Sequence, residues 1–274
     1  MTTPITIAIS AAKEAGALLK ERFGNPGNVE HKGAIDLVTE MDRRAEELIV
    51  ALVTERFPAH AILAEESGES TATAVSDAAA AASNDKKFRW IIDPLDGTTN
   101  YAHGFPFFSV SIGLEVNDCV ELGVVYNPMA DELFVAEKDK GATLNGERIA
   151  VSGTKTVNES LLVTGFPYDI RTSKKNNLDH FGNFALRAQA IRRAGSAALD
   201  LCYTACGRFD GYWEMKLKPW DVAAGALIVT EAGGRISDFS SGAFDIYGTE
   251  CLASNGSIHE EMLTVLNTQT RAGE

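Results

Sequence analysis

Residues 90–101 read Trp-Ile-Ile-Asp-Pro-Leu-Asp-Gly-Thr-Thr-Asn-Tyr, which sets two carboxylates, Asp93 and Asp96, three positions apart at the end of an apolar strand. Pro94 fixes its own φ and lacks an N–H, so the chain turns there, and Gly97 permits the tight path that follows. Both acids are thereby aimed into one space. Two ionised carboxylates in close approach repel unless a proton or a cation lies between them, and hard divalent cations such as Mg²⁺ take oxygen ligands of this kind. Asp-Pro and Asp-Gly are also ordinary turn signals, so this run alone leaves a plain turn open.

Three further segments bear on that choice. Asp36-Leu37-Val38-Thr39-Glu40-Met41-Asp42 comes upstream, Glu65-Glu66-Ser67 closes another short apolar strand, and Trp220-Asp221-Val222-Ala223-Ala224-Gly225 opens a helix near the C-terminus. Taken in this order, over residues 36–234, the four blocks resemble the inositol monophosphatase family of magnesium-dependent, lithium-sensitive phosphatases. The paired signatures W-x-I-D-P-x-D-G-T-x-N and W-D-x-A-A-G are far more specific than any single pair of acids.

The resemblance implies a set of roles. Asp93 would bridge two Mg²⁺ ions, one carboxylate oxygen to each, as suits two ions held roughly 3.5–4 Å apart for in-line displacement. Glu65 and the Leu95 carbonyl would complete the ligands of the first ion, Asp96 and Asp221 those of the second. A third, looser ion bound through Glu65 and water is implied by the resemblance alone. Glu65 also reads as a solvated strand-end carboxylate, and Asp221, just after Pro219, as a helix N-cap. Thr39-Glu40-Met41-Asp42 has the form of a capping box, in which Asp42 would only return a bond to the helix start. The functional reading instead pairs Asp42 with Thr98 to orient and deprotonate a metal-bound water, the role that matching positions carry in the family.

Phosphate needs donors, and the turn from Leu95 through Asp96 and Gly97 to Thr98 offers backbone N–H groups at a bend. The alcohol half of a substrate is expected against Gly195, Ser196, Ala197, Glu214 and Asp221, where carboxylates would accept hydrogen bonds from a polyol. Gly195 reads either as a helix start at this wall or as a turn glycine. Arg192 and Arg193 are both candidates to assist, with one of them reading equally as a surface charge. The five histidines show no ligand spacing and are expected outside the chemistry, with His103 nearest the central motif.

The elements that must position these groups fall into two halves. Ile5, Ala8, Ile9, Ala12, Gly16, Leu19 and Phe23 recur at helical spacing up to a stop at Gly24-Asn25-Pro26-Gly27, and a second helix near Asp42 carries Ala45, Leu48, Ile49, Leu52 and Val53. The period then changes to two: Phe108, Val110, Ile112, Leu114 and Val116 alternate with small or polar residues. Strands over 120–126 and 133–136 follow, with a hairpin at Asn145-Gly146, so residues 1–150 are expected to hold an antiparallel sheet and the metal motifs. Residues 151–274 read as mixed α/β, with strands at 161–164, 190–193 and 212–214 and helices near 176–188 and from Gly195. The expected fold is a layered α-β-α-β-α sandwich of the sugar-phosphatase type with the site between the halves. Residues 68–87, with one Val as their only large apolar side chain, read as a mobile loop that could act as a lid.

Composition narrows the function. The chain has 274 residues, 45% of them hydrophobic, enough for one large or two modest cores. A net charge of −13 speaks against nucleic acid or an anionic membrane as the partner, since both need clustered Lys and Arg. It also requires bound cations to reverse the local sign before a phosphate ester can enter. Cys119, Cys202, Cys206 and Cys251 lack metal-finger spacing and read as core thiols of a reducing cytosol. Neither a signal peptide nor a membrane span is apparent, so a cytoplasmic enzyme is expected. The substrate expected is a small phosphorylated polyol, inositol 1-phosphate first, hydrolysed to inositol and phosphate by metal-activated water. Histidinol phosphate, fructose 1,6-bisphosphate, nucleotide phosphates and NADP are the alternatives, and a non-catalytic interaction protein is the more distant one. Thr99-Asn100-Tyr101 resembles the inositol branch, nucleotide-specific relatives tending to carry Lys-Glu-Phe there. A homodimer is implied by the resemblance.

Overall fold

Helices α1 (Pro4–Arg22) and α2 (Glu40–Arg56) each turn one apolar face inward, Ala8, Ala12, Ala15 and Leu19 on the first and Ala45, Ile49 and Val53 on the second, and bury it completely. They belong to a computed structural model that describes residues 3–70 and 87–268. Between them strand β1 (Val29–His31) pairs antiparallel with β2 (Leu37–Thr39). The chain then builds β3 (Ala61–Ala64), β4 (Gly68–Ser70) and β5 (Phe88–Asp96), the short helix α3 (Thr98–Ala102), and β6 (Ser109–Val116), β7 (Cys119–Asn127), β8 (Glu132–Glu137), β9 (Gly141–Leu144) and β10 (Glu147–Arg148). These last eight strands form one sheet in the order β10-β9-β8-β7-β6-β5-β3-β4.

Two sequence expectations change here. Every pairing in the sheet is antiparallel except β3 with β5, which is parallel. Because β4 folds back along β3, the chain re-enters at the end where β3 began, and β5 must run in the same direction. Gly68–Ser70, expected within a mobile loop, is strand β4; residues 71–86 of that segment lie outside the described residues. The hairpin stands as expected, with Asn145 and Gly146 at φ 51° and 87° between β9 and β10, the left-handed pair that a two-residue turn needs.

Beyond β10 come β11 (Leu161–Thr164), α4 (Leu178–Ala185), β12 (Ala190–Arg192), α5 (Ala197–Ala205), β13 (Gly211–Met215), α6 (Pro219–Glu231), β14 (Arg235–Ser237), β15 (Glu250–Ser254) and α7 (His259–Leu266). The strands make a second, mixed sheet in the order β12-β11-β13-β15-β14. Helices α1 and α2 cover one face of the large sheet, α5 and α6 fill the space between the sheets, and α4 and α7 cover the outer face of the small one. This is the expected five-layer α-β-α-β-α sandwich.

The alternating pattern of β6 is real, yet all eight of its residues are buried. The small residues between the apolar ones face α6. A Cβ added at Gly113 would stand 3.2 Å from the Ala223 Cβ, and one at Gly123 on β7 only 2.7 Å from the Ala224 carbonyl oxygen. On the other side of the helix a Cβ at Gly225 would come within 2.8 Å of the Leu201 Cβ on α5. Small volume at Ala223, Ala224 and Gly225 therefore seats α6 between two layers, and that seating sets where Asp221 at its N-terminal end stands.

Candidate active site

Strand β5 carries its two acids through a bulge. Asp93 pairs with Ser111 and Asp96 with Ser109, so two residues, Pro94 and Leu95, face the single Val110. Pro94 has no N–H for the ladder, and the freed Leu95 N–H donates instead to Asp93 Oδ1 at 3.0 Å. Gly97 then turns the chain at φ 100°, where a Cβ would crowd the carbonyl oxygens of Phe107 and Gly195 at 3.1 and 3.2 Å. Helix α3 starts at the next residue, Thr98. Asn100 clamps this turn to the far half by donating Nδ2–H to the carbonyls of Phe107 and Ala194 at 2.7 and 2.9 Å.

Asp42 occupies both of its predicted positions at once. Its Oδ2 accepts the Thr39 N–H at 2.8 Å and the Thr39 hydroxyl at 2.6 Å, closing the capping box of α2. Its Oδ1 accepts the Thr98 hydroxyl at 2.8 Å from 56 residues away, and Thr98 also lies 3.0 Å from the Leu95 carbonyl. The two readings of Asp42 use different oxygens and do not compete. Burial pushes the Asp42 carboxyl up to about 6, against the pull of Thr39 and Thr98.

Around this pair stand the other acids. Glu65 follows β3 and faces Lys32, whose Nζ lies 3.1 Å from its Oε1 and also pairs with Glu66. Asp96 is turned to the start of α5, accepting the Ser196 hydroxyl at 2.6 Å, the Ala198 N–H at 2.7 Å and the Ala197 N–H at 3.3 Å. Asp221 is not the N-cap considered above: Lys218 is, and Asp221 three residues on accepts its N–H at 2.7 Å. An acid there also suits the positive end of the helix dipole. With the side chains so turned, no three acidic, His or Cys side chains among the described residues converge closely enough to form a metal cage.

The donor chemistry nevertheless fits a hard divalent cation. Burial raises Asp93 well above the carboxylate range, and repulsion from Glu65, Asp96 and Asp221 adds to it. Burial likewise lifts Glu65 to about 7, Asp96 to about 6, and Asp221 well above its ordinary value. Glu65 Oε2, Asp93 Oδ2 and Asp221 Oδ1 accept no hydrogen bond from any described residue. Carboxylates that repel one another, Asp93 buried and Glu65 and Asp221 partly so, with open oxygens, suit a hard cation.

A linkage prediction follows. Because Glu65 and Asp96 hold protons more tightly in the folded chain, at about 7 and about 6, than at their ordinary 4.5 and 3.8, the folded state binds more protons across that window. Stability from these groups therefore falls as pH rises from about 4 to about 7. In chelator, the melting temperature should decline across that range, and Mg²⁺ should raise it more at pH about 7.5 than at pH about 5, where protons compete. An equal Mg²⁺ effect at both pH values in a melting series would sink the linkage.

Beside the acids opens a cleft of about 280 Å³. Asp96, Gly97, Gly195, Ser196, Ala197, Glu214 and Asp221 all line it. Leu95 and Thr98, both buried, are not among its lining residues, and since the Leu95 N–H is spent on Asp93 it is no phosphate donor; the Thr98 N–H, in the first turn of α3, has no intrahelical acceptor. Gly195 is the turn glycine, at φ 95°, and Ser196 the N-cap of α5. Glu214 accepts the Tyr212 hydroxyl at 2.9 Å, and burial pushes it up to about 7. Arg193 reaches the cleft, whereas Arg192 turns its guanidinium to the Ile191 carbonyl at 3.1 Å. No histidine lines it.

The sequence reading missed the opposite wall, Phe166, Pro167, Tyr168 and Asp169 with Lys216 and Leu217. Lys216 Nζ bonds Asp169 Oδ2 at 2.6 Å and Ser173 Oγ at 2.9 Å, tying that loop to the end of β13. The one usable signal was position, since the loop leaves the C-terminal end of β11, beside the parallel strands β12 and β13, where α/β sheets place ligands.

The fold sets a cluster of carboxylates between two sheets. The chain belongs to the inositol monophosphatase family, whose model matches residues 1–271. It is 46% identical over 97% of its length, and 89% of the relative's, to an inositol-1-monophosphatase of Synechocystis. To the Nus factor SuhB of Escherichia coli it is 40% identical, over 94% of each chain. The structure of an inositol monophosphatase from Anabaena superposes with a TM-score of 0.85 at 42% identity, covering 97% of this chain and 96% of that one. No described helix is long and apolar enough to cross a membrane.

Proposed function

We propose that this chain is a Mg²⁺-dependent phosphomonoesterase of small polyol monophosphates, with inositol 1-phosphate as its first substrate. The observation that carries the reading is the Thr98 hydroxyl, 2.8 Å from Asp42 Oδ1, standing beside carboxylates whose outer oxygens are open. Glu65, Asp93 and the Leu95 carbonyl would hold one Mg²⁺, and Asp93, Asp96 and Asp221 a second. Bound there, Mg²⁺ neutralises the phosphate and lowers the pKa of a coordinated water. The chain's own part is proton handling: Thr98 Oγ1 accepts a proton from the attacking water as its own hydroxyl hydrogen passes to Asp42 Oδ1. The Thr98 N–H donates to the phosphate. Glu214 and Asp221 accept from the polyol, with Ser196 and Ala197 as its wall. Lys32 holds Glu65 in place.

Similarity to the inositol-1-monophosphatase of Synechocystis favours inositol monophosphate over the sugar bisphosphate and nucleotide alternatives. Retention of every one of these acids speaks against a chain that only binds partners. The test is phosphate release from inositol 1-phosphate, histidinol phosphate, fructose 1,6-bisphosphate, 2′-AMP and NADP at fixed enzyme and Mg²⁺. Inositol 1-phosphate should give the highest kcat/KM, and LiCl should inhibit its turnover. A tenfold preference for another substrate would reassign the specificity, and equal inhibition by NaCl or KCl would reduce the lithium effect to screening.

A further inference from the structure

A second cavity, of about 720 Å³, runs along α6 and shares no residue with the catalytic cleft. Its lining is largely apolar, with Val120, Ala226, Leu227, Ile236, Phe244 and Ile246. One charged side chain is built into it. Glu115, on β6, is 3% exposed and lines the cavity. Its Oε2 accepts the Tyr247 hydroxyl at 2.8 Å and Arg89 Nη1 at 3.3 Å, and Arg89 also donates to the Tyr247 oxygen at 2.7 Å. Oε1 accepts nothing from any described residue.

Anchoring Tyr247 accounts for one oxygen of Glu115 and not for the other. Oε1 keeps its contact with solvent at the cavity wall, so a molecule that fills the cavity must bring a donor of its own or leave a carboxylate oxygen desolvated, which is costly. The charge around it points to the sign of that donor. Asp118, Asp139, Glu231 and Asp245 are negative; of the two cations at hand, Arg89 is shared between Glu115 and Glu69, and Lys138, on the lining, is committed to Glu121 Oε1 at 3.3 Å and Cys119 Sγ at 3.0 Å. An anion would meet a negative rim; a neutral apolar molecule would leave Glu115 Oε1 bare.

We infer that this cavity binds a small amphipathic cation, an ammonium or amidinium on an aromatic or branched aliphatic body, with its N–H on Glu115 Oε1 and its body on the apolar floor. The donor would be charge-assisted and the body desolvated, the combination that small-molecule sites use.

The test is calorimetric titration of the full chain with phenethylammonium chloride and, separately, sodium phenylacetate, at saturating Mg²⁺ so that the catalytic acids are occupied. The ammonium should bind one-to-one and saturably, and the carboxylate should not. Glu115→Gln should weaken binding by about tenfold or more, since it exchanges a charged acceptor for a neutral one. Ala226→Leu, which fills the floor and touches none of Glu115's partners, should do the same, and it decides the matter if Glu115→Gln fails to fold. No saturable binding, equal affinity for both probes, or unchanged affinity in Ala226→Leu would overturn the proposal. Binding lost in Asp93→Asn instead would put the amine in the catalytic cleft and overturn it equally.

Discussion

Asp93→Asn is expected to abolish phosphate release at saturating Mg²⁺, by a factor on the order of 10³ or more, in a protein that still melts cooperatively. Asp93 is 2% exposed and sits where burial and three neighbouring acids, Glu65, Asp96 and Asp221, all press on its charge. It is the one acid proposed to touch both cations, so its loss weakens two sites at once. The fold should tolerate the change. The Leu95 N–H at 3.0 Å can bond an asparagine carbonyl as well as a carboxylate, and deleting a repelled charge removes a source of instability. In chelator the variant should therefore melt at or above the wild-type temperature, while the Mg²⁺-induced rise shrinks. Phosphate-release kinetics beside melting curves with and without Mg²⁺ check all three expectations. A variant keeping a tenth of wild-type activity would end the bridging role.

How much of this was legible before the structure depends on whether the deciding interaction is local. The turn after β5 was, because Pro94 and Gly97 act through their own backbone geometry, and so were α1 and α2, whose apolar periods span each helix. The direction of β3 against β5 was not, since it depends on β4, a three-residue strand in a stretch that carries no apolar pattern. Asp96 shows the same limit at the candidate site. Its type marked it as an acid for a cation, but its partner Ser196 lies 100 residues on, and no local pattern announces a carboxylate that also caps a distant helix. The W-D-x-A-A-G run was read for Asp221 alone, whereas Ala223, Ala224 and Gly225 serve by their small volume, a property visible only once both neighbouring layers are in place. The wall from Phe166 to Asp169 carries neither period nor motif, and only the ends of the parallel strands locate it.

Asp42 offers the sharpest separation of structure from chemistry, because its two oxygens face different partners. Asp42→Asn should lower kcat by roughly 10² or more and cost stability by about 1 kcal/mol, the loss of a capping interaction. That double effect alone would not say which oxygen does what. Two companions do. Thr39→Ala removes the hydroxyl donor on Oδ2, keeps the backbone N–H and leaves the 2.8 Å bond from Thr98 to Oδ1 intact, so melting should fall while kcat stays within about twofold. Thr98→Val deletes the hydroxyl that faces both Asp42 and the Leu95 carbonyl and leaves the cap untouched, so kcat should fall by roughly 10² with little change in melting. Combining Thr98→Val with Asp42→Asn should cost little more in rate than either alone, since the two act as one relay, and their effects on rate should be far from additive. Steady-state kinetics on the four proteins, each with its melting temperature, reads the cycle. Additive losses would mean that Asp42 and Thr98 act separately, and an unchanged kcat in Asp42→Asn would return Asp42 to the helix cap alone.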